Sequence, residues 1–148
     1  MADWRANITA LSSWVITGIT LVDLDDIPKV VPRANLPLMF VRFPDDDRSS
    51  FASPQVPTGF GDDKLTSTLE LEHVCLVATL GSAGGAQQHY PQTIDLLDAY
   101  LIKMASDPTL SAGLRKAMES RAKVGTIRWG QGTFFGFTMR LKWVRTVE

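Results

Sequence analysis

The stretch GTIRWGQGTFFGFTMRLKWVRTVE, Gly125 to Glu148, decides the fold, because a two-residue period runs through it for a dozen positions. Phe135, Phe137, Met139, Leu141 and Trp143 fall on one side, and Thr138, Arg140, Lys142 and Thr146 on the other. Alternation of this kind is a half-buried strand. Upstream, Ile127 and Trp129 alternate with Thr126 and Arg128, and Gly130-Gln131-Gly132 offers the permissive backbone of a tight connection. The reading is a β-hairpin over 125–147, with one face in the core and the other cationic.

A second long strand pattern runs from Lys64 to Leu80. Leu69, Leu71, Cys75 and Val77 share one face, and Glu70 and Glu72 share the other until Val74, Leu76 and Ala78 make both faces apolar. The second half of this strand is therefore expected to be buried on both sides. At about 3.3 Å per residue, each long strand would run roughly 50 Å, against a body about 40 Å across for a chain of this length. Either bulges shorten the strands or their ends project.

Toward the N-terminus, Asp3 is a candidate cap, and Trp4, Ile8, Leu11 and Val15 predict a helix ending near Gly18. Ile19 to Asp23 reads as a short strand, Pro28 and Pro32 impose irregular backbone, and Leu38 to Phe43 reads as a firmer strand. Residues 45–63 carry Asp45, Asp46 and Asp47 in a run, with Pro54, Pro57, Gly59 and Gly61, and read as one long loop. Phe51, Val56 and Phe60 are apolar enough to dock, either on the parent domain or on a partner. After Gly81 to Gly85, Pro91 opens a helix in which Ile94, Leu97, Leu101 and Met104 make an apolar stripe. A short helical turn is expected between Asp107 and Met118, and Arg121 to Lys123 reads as a basic link into the hairpin. The order of elements describes one α+β domain over 1–148, a mainly antiparallel sheet with helices packed on one face.

Composition bounds the function. Cys75 is the only cysteine, so no internal disulfide forms, and the pattern suits a reducing compartment. The apolar run from Trp14 to Val22 contains Thr17, Gly18 and Thr20 and follows an acidic start, unlike a signal peptide or a membrane span. The net charge of −1 conceals a split: eight basic and two acidic residues lie from Arg115 onward, against seven basic and fourteen acidic before it. Folding can interleave the two halves, or a cationic face can meet an acidic edge of the next copy.

Few residues form a chemical constellation. Glu70 and Glu72 at i and i+2 would lie about 6.5–7 Å apart, a separation that suits an inverting hydrolase, but a solvated strand face explains them as well. No Cys or His pair has zinc spacing, and the Asp45 to Asp47 run lacks the glycine and terminal glutamate of a calcium loop, so neither metal nor cofactor is expected. Gly81-Ser82-Ala83-Gly84-Gly85 lies where an anion cradle would, without dinucleotide or P-loop spacing. Arg128, Arg140, Lys142 and Arg145 could meet phosphates, with Trp129 or Phe134 stacking on bases, although a slightly acidic chain argues against nucleic acid.

The helix at the start, the Pro-rich approach to Leu38-Met39-Phe40-Val41, the strand around Leu69-Glu70-Leu71-Glu72-His73, the helix at Gln92-Thr93-Ile94-Asp95-Leu96-Leu97 and the closing hairpin through Phe137 to Val144 resemble the tail terminator, or tail completion, proteins of long-tailed bacteriophages. The resemblance spans nearly the whole chain and rests on element order. It implies a virion protein assembled in the host cytoplasm, without enzyme activity, cofactor or membrane. Such a protein forms a ring, usually of six copies, that caps the tail tube protein and joins a head-side connector or stopper protein. DNA would cross the lumen of the ring without specific binding. The family has no catalytic site, so interface candidates come from charge and exposure: Asp45, Asp46, Asp47, Phe51, Arg128, Arg140, Lys142 and Arg145. Two other readings stay open, a different tail component such as a tube or connector subunit, and a small hydrolase or ligand-binding domain using Glu70 and Glu72.

Overall fold

The computed structural model describes residues 3–43, 58–61, 64–80 and 86–147. The elements are α1 (Trp4–Ser12), β1 (Thr20–Leu21), β2 (Leu38–Arg42), β3 (Thr58–Gly61), β4 (Lys64–Thr79), α2 (Tyr90–Ser106), β5 (Glu119–Trp129) and β6 (Gly132–Val147). Together they make an α+β domain: a six-stranded sheet ordered β1-β2-β4-β6-β5, with β3 pairing the start of β4. All pairings are antiparallel except β1 with β2.

The sheet is built on β4 and β6. They pair from Leu65 opposite Val147 to Thr79 opposite Phe134, with one irregularity between Leu76 and Ala78. On one face, Leu69, Leu71, Cys75, Phe137, Met139, Leu141 and Trp143 pack with Ile8 and Leu11 of α1 and Leu96 and Tyr100 of α2. Both helices thus cover the same face. On the other face, Leu38, Phe40, Val74, Leu76, Ile127 and Phe134 form a second, smaller core under Val22, Ile27, Val31, Leu36 and Trp129. The second half of β4 is therefore buried on both sides, as its apolar run requires.

The hairpin tip is pinned to this second core. Gly130 has φ +60, and a Cβ there would meet the Lys29 carbonyl oxygen at 2.5 Å. Beside it, the Trp129 indole N–H donates to the Pro28 carbonyl oxygen at 2.8 Å, and its ring lies 4.5 Å from that of Phe40.

Several elements differ from the sequence expectation. α1 stops at Ser12, where Ser13 Oγ donates back to the Thr9 carbonyl oxygen at 2.8 Å. Beyond it, Trp14 and Ile16 enter the core at alternate positions and Val15 faces out, the pattern of extended chain; the β-branched Val15, Ile16 and Thr17 favour that form. The expected loop over 45–63 contains β3, held by pairing with residues 64–67; Asp45, Asp46, Asp47 and Phe51 lie outside the described residues, as does Gly81 to Gly85. The helical turn expected after Asp107 is replaced by a left-handed one, with positive φ at Leu110, Ser111 and Ala112. The Asp107 carboxylate accepts from the Ser111 N–H at 2.7 Å, and Asn7 of α1 donates to the Gly113 carbonyl oxygen at 3.2 Å. The presumed basic link Arg121 to Lys123 is the first half of β5, so the hairpin begins at Glu119 rather than Gly125.

In α2, Thr93, Leu96 and Tyr100 face the core, while Ile94 and Leu101 are 41% and 42% exposed. Half of the expected stripe, Leu97 and Met104, still packs against the core, while Ile94 and Leu101 have turned toward solvent. Tyr100 sets the roll: its hydroxyl bonds the buried His73 and its ring meets those of Trp14 and Phe137.

At Gly136 the two central strands leave no room for a side chain, since a Cβ would meet the Cys75 carbonyl oxygen at 1.9 Å. Backbone cannot yield as a side-chain tip can. Gly136→Ala is expected to lower stability in urea unfolding by about 3 kcal/mol or more. Gly59→Ala, where a Cβ meets nothing within 4 Å, is expected to stay within about 0.5 kcal/mol of wild type.

Candidate functional site

The second face of the sheet changes character between Val74 and Glu72. Beyond the smaller core, the same alternation that placed Val74 and Leu76 now presents charge. Strand register arranges these charges in two rows. Arg42 on β2, Glu72 on β4, Arg140 on β6 and Arg121 on β5 stand opposite one another, and in the next row Glu70, Lys142 and Glu119 do the same.

Within the first row Arg42 Nε donates to Glu72 Oε2 at 2.7 Å, and between the rows Arg140 Nη2 donates diagonally to Glu70 Oε2 at 2.8 Å. Glu119 is engaged by Lys116 at 3.1 Å, and that hydrogen bond, with the charges of Lys116 and Lys142, holds its carboxyl below the usual range. Glu70, Glu119, Arg121, Arg140 and Lys142 line an open depression of about 420 Å³.

The two carboxylates offered by the sequence as an acid–base pair are thus each bound to a guanidinium. Their arginines come from flanking strands, which a sequence pattern at i and i+2 does not reveal. Each carboxylate thereby accepts a charge-assisted hydrogen bond that ties β4 to a neighbouring strand. Among the described residues, no group of three His, Cys, Asp or Glu is placed to hold a metal ion, and no helix is long and apolar enough to cross a membrane.

The four basic interface candidates do not share one surface. Arg140 and Lys142 lie on the open face; Arg128 and Arg145 have the opposite parity and lie on the helix side. Arg145 stacks its guanidinium 4.8 Å from the centre of the Trp4 ring, whose partner in turn is Trp143 at 6.3 Å. The open face of the hairpin carries Arg121, Lys123, Arg140 and Lys142 against Glu119, and is cationic as expected, while β4 sets Glu70 and Glu72 beside it. Trp129 and Phe134, the stacking candidates for bases, are both packed into the smaller core.

On the helix side, the sequence left one polar cluster unread. His73 shares the parity of Leu69, Leu71 and Cys75 and is buried, with Nδ1 2.9 Å from the Tyr100 hydroxyl. Its parity was legible; Tyr100, 27 residues away on a helix, was not. Burial pulls the His73 pKa from 6.5 down to about 3, pushes the Cys75 thiol up to about 12, and raises Tyr100, with Cys75 adding to the last. All three are neutral near pH 7, and Cys75 has none of the thiolate character of a nucleophile.

No family model matches the chain, and no curated protein matches it either.

The buried histidine gives stability a pH dependence of definite sign. Below pH 6.5 the unfolded chain takes up a proton that folded His73 refuses until about pH 3, so stability is full above 6.5 and falls as pH drops toward 3. The slope is about 1.4 kcal/mol per pH unit. Between pH 7 and pH 5, wild type is expected to lose about 2 kcal/mol more than His73→Gln in urea unfolding; equal losses would show that His73 does not carry the effect.

Proposed function

We propose that this chain is a structural subunit of the tail or neck of a long-tailed bacteriophage, closing with its copies into a ring that ends the tail tube and offers the joining surface for the head-side connector. The reading rests on the resemblance in element order and on one structural observation. A sheet of 16-residue strands presents a half-face of charge and an open 11-residue strand at its edge. Glu72 and Glu70 on that half-face are engaged in ion pairs with Arg42 and Arg140 that brace neighbouring strands, which favours contact over catalysis.

Exposed apolar side chains add to the available surface. Tyr90, Ile94, Leu101 and Ile102 stand out from α2, and Phe60 is 82% exposed on β3. A head-to-tail contact between unlike surfaces generates a ring when its rotation closes, and a filament when it does not. The partners are further copies of this chain, the tail tube protein and a connector or stopper protein, and the place of action is the virion after assembly in the host cytoplasm.

Native mass spectrometry over a concentration series at two ionic strengths tests the reading. A discrete closed oligomer, loosened by salt because its contacts join opposite charges, is the expected result. Open-ended stacks would point instead to a tube subunit, and no binding to isolated tails by any species would remove the proposal.

A further inference from the structure

β5 is the last strand of the sheet, and among the described residues no element pairs with its outer edge. An edge strand directs about half of its N–H and C=O groups away from its neighbour. Proteins usually blunt such an edge by making it short or by placing a proline or a bulge in it. β5 has none of these: it runs for 11 residues, lacks proline and keeps an unbroken register with β6. Its first five residues, Glu119 to Lys123, are all exposed, so this half of the strand is covered on neither face.

What guards this edge is charge. Arg121 and Lys123 lie at i and i+2, on the same side of the sheet and about 6.5–7 Å apart. Arg121 also stands directly opposite Arg140, whose guanidinium is held from the other side by Glu70, so the outer side of Arg121 is where an acid on an added strand would fall. Across the row the signs run positive at Arg42, negative at Glu72, then positive at both Arg140 and Arg121. An added strand with an acid facing Arg121 would restore alternation, and a second acid two residues away would face Lys123. Such an edge rejects a neutral or basic strand and accepts an acidic one.

We propose that the free edge of β5 is a strand-addition site for an extended acidic segment of a second copy, whose carboxylates at i and i+2 face Arg121 and Lys123. In this chain the spacing occurs at Asp23 and Asp25, Asp45 and Asp47, and Glu70 and Glu72; Asp25, Glu70 and Glu72 are engaged by Arg5, Arg140 and Arg42, and the donor proposed is the segment of Asp45 and Asp47. The proposal deepens the self-assembly reading above and rests on it. Main-chain hydrogen bonds along β5 supply affinity that is indifferent to sequence, and the two charge pairs fix register and partner.

The test is a pair of charge-reversed proteins measured alone and mixed, by native mass spectrometry and sedimentation. Arg121→Glu/Lys123→Glu changes exposed residues only, and Asp45→Lys/Asp47→Lys changes only the donor. Each is expected to stay monomeric alone, because its donor and its edge then repel. Mixed in equal amounts, they are expected to associate in strict alternation, since every contact again joins opposite signs, and the β5 amides should gain protection from hydrogen exchange.

Self-association of either variant alone at the wild-type level would overturn the proposal. So would a mixture that stays monomeric, which is what pairing within one chain predicts, and so would a wild type that is monomeric at every concentration. Alternating association into open chains would sustain the edge contact while removing the closed ring, so the two readings fail separately.

Discussion

The antiparallel contact between β4 and β6 is the constraint on which everything else depends. Two strands of 16 residues lie side by side, and at Gly136 their backbones come so close that only a missing side chain permits it. That contact fixes parity along both strands, because a slip of one residue would send every core side chain to the opposite face. From parity follow the two cores, one on each face, and the placement of the charged rows. The ladder is thus a consequence of register and not a separately built device.

The helices take their places from what the strands offer. His73 is the one histidine among the core positions of β4, and a buried imidazole needs a partner for its ring nitrogen. Tyr100 provides it and so turns α2 about its axis, drawing Thr93 and Leu96 inward and leaving Ile94 and Leu101 half in solvent. One polar contact in the interior therefore decides which apolar residues remain at the surface. Among the described residues, that surface, the charged half-face and the β5 edge stand open to other molecules.

Much of this was legible in the amino-acid sequence, and the failures have physical causes. The long strands and the doubly buried half of β4 could be read because two-residue periodicity reports burial directly. The roll of α2 could not, because Ile94 and Leu101 make as good an apolar stripe as Leu96 and Tyr100 until a partner for Tyr100 is known. The first half of β5 carries Glu119, Ser120, Arg121, Ala122 and Lys123, with no apolar alternation, since the backbone of β6 alone holds it in place. Leu110, Ser111 and Ala112 adopt left-handed backbone without a glycine or asparagine to announce it. The arginines that bind Glu70 and Glu72 come from other strands, which local spacing cannot show.

The position of β6 in the sheet has a bearing on how the protein comes into being. Chains are made from the N-terminus, and β6 is the latest of the described strands to emerge, yet it sits between β4 and β5. Until residues 132–147 exist, β4 shows a long apolar strand with one side vacant, and β5 has no neighbour at all. From the completion of β4 at Thr79 until β6 begins at Gly132, the nascent chain therefore carries this apolar strand uncovered on that side. Folding is postponed to the moment at which the last strand slides into the gap, and a ribosome that stalls shortly before that point would release a product prone to aggregate.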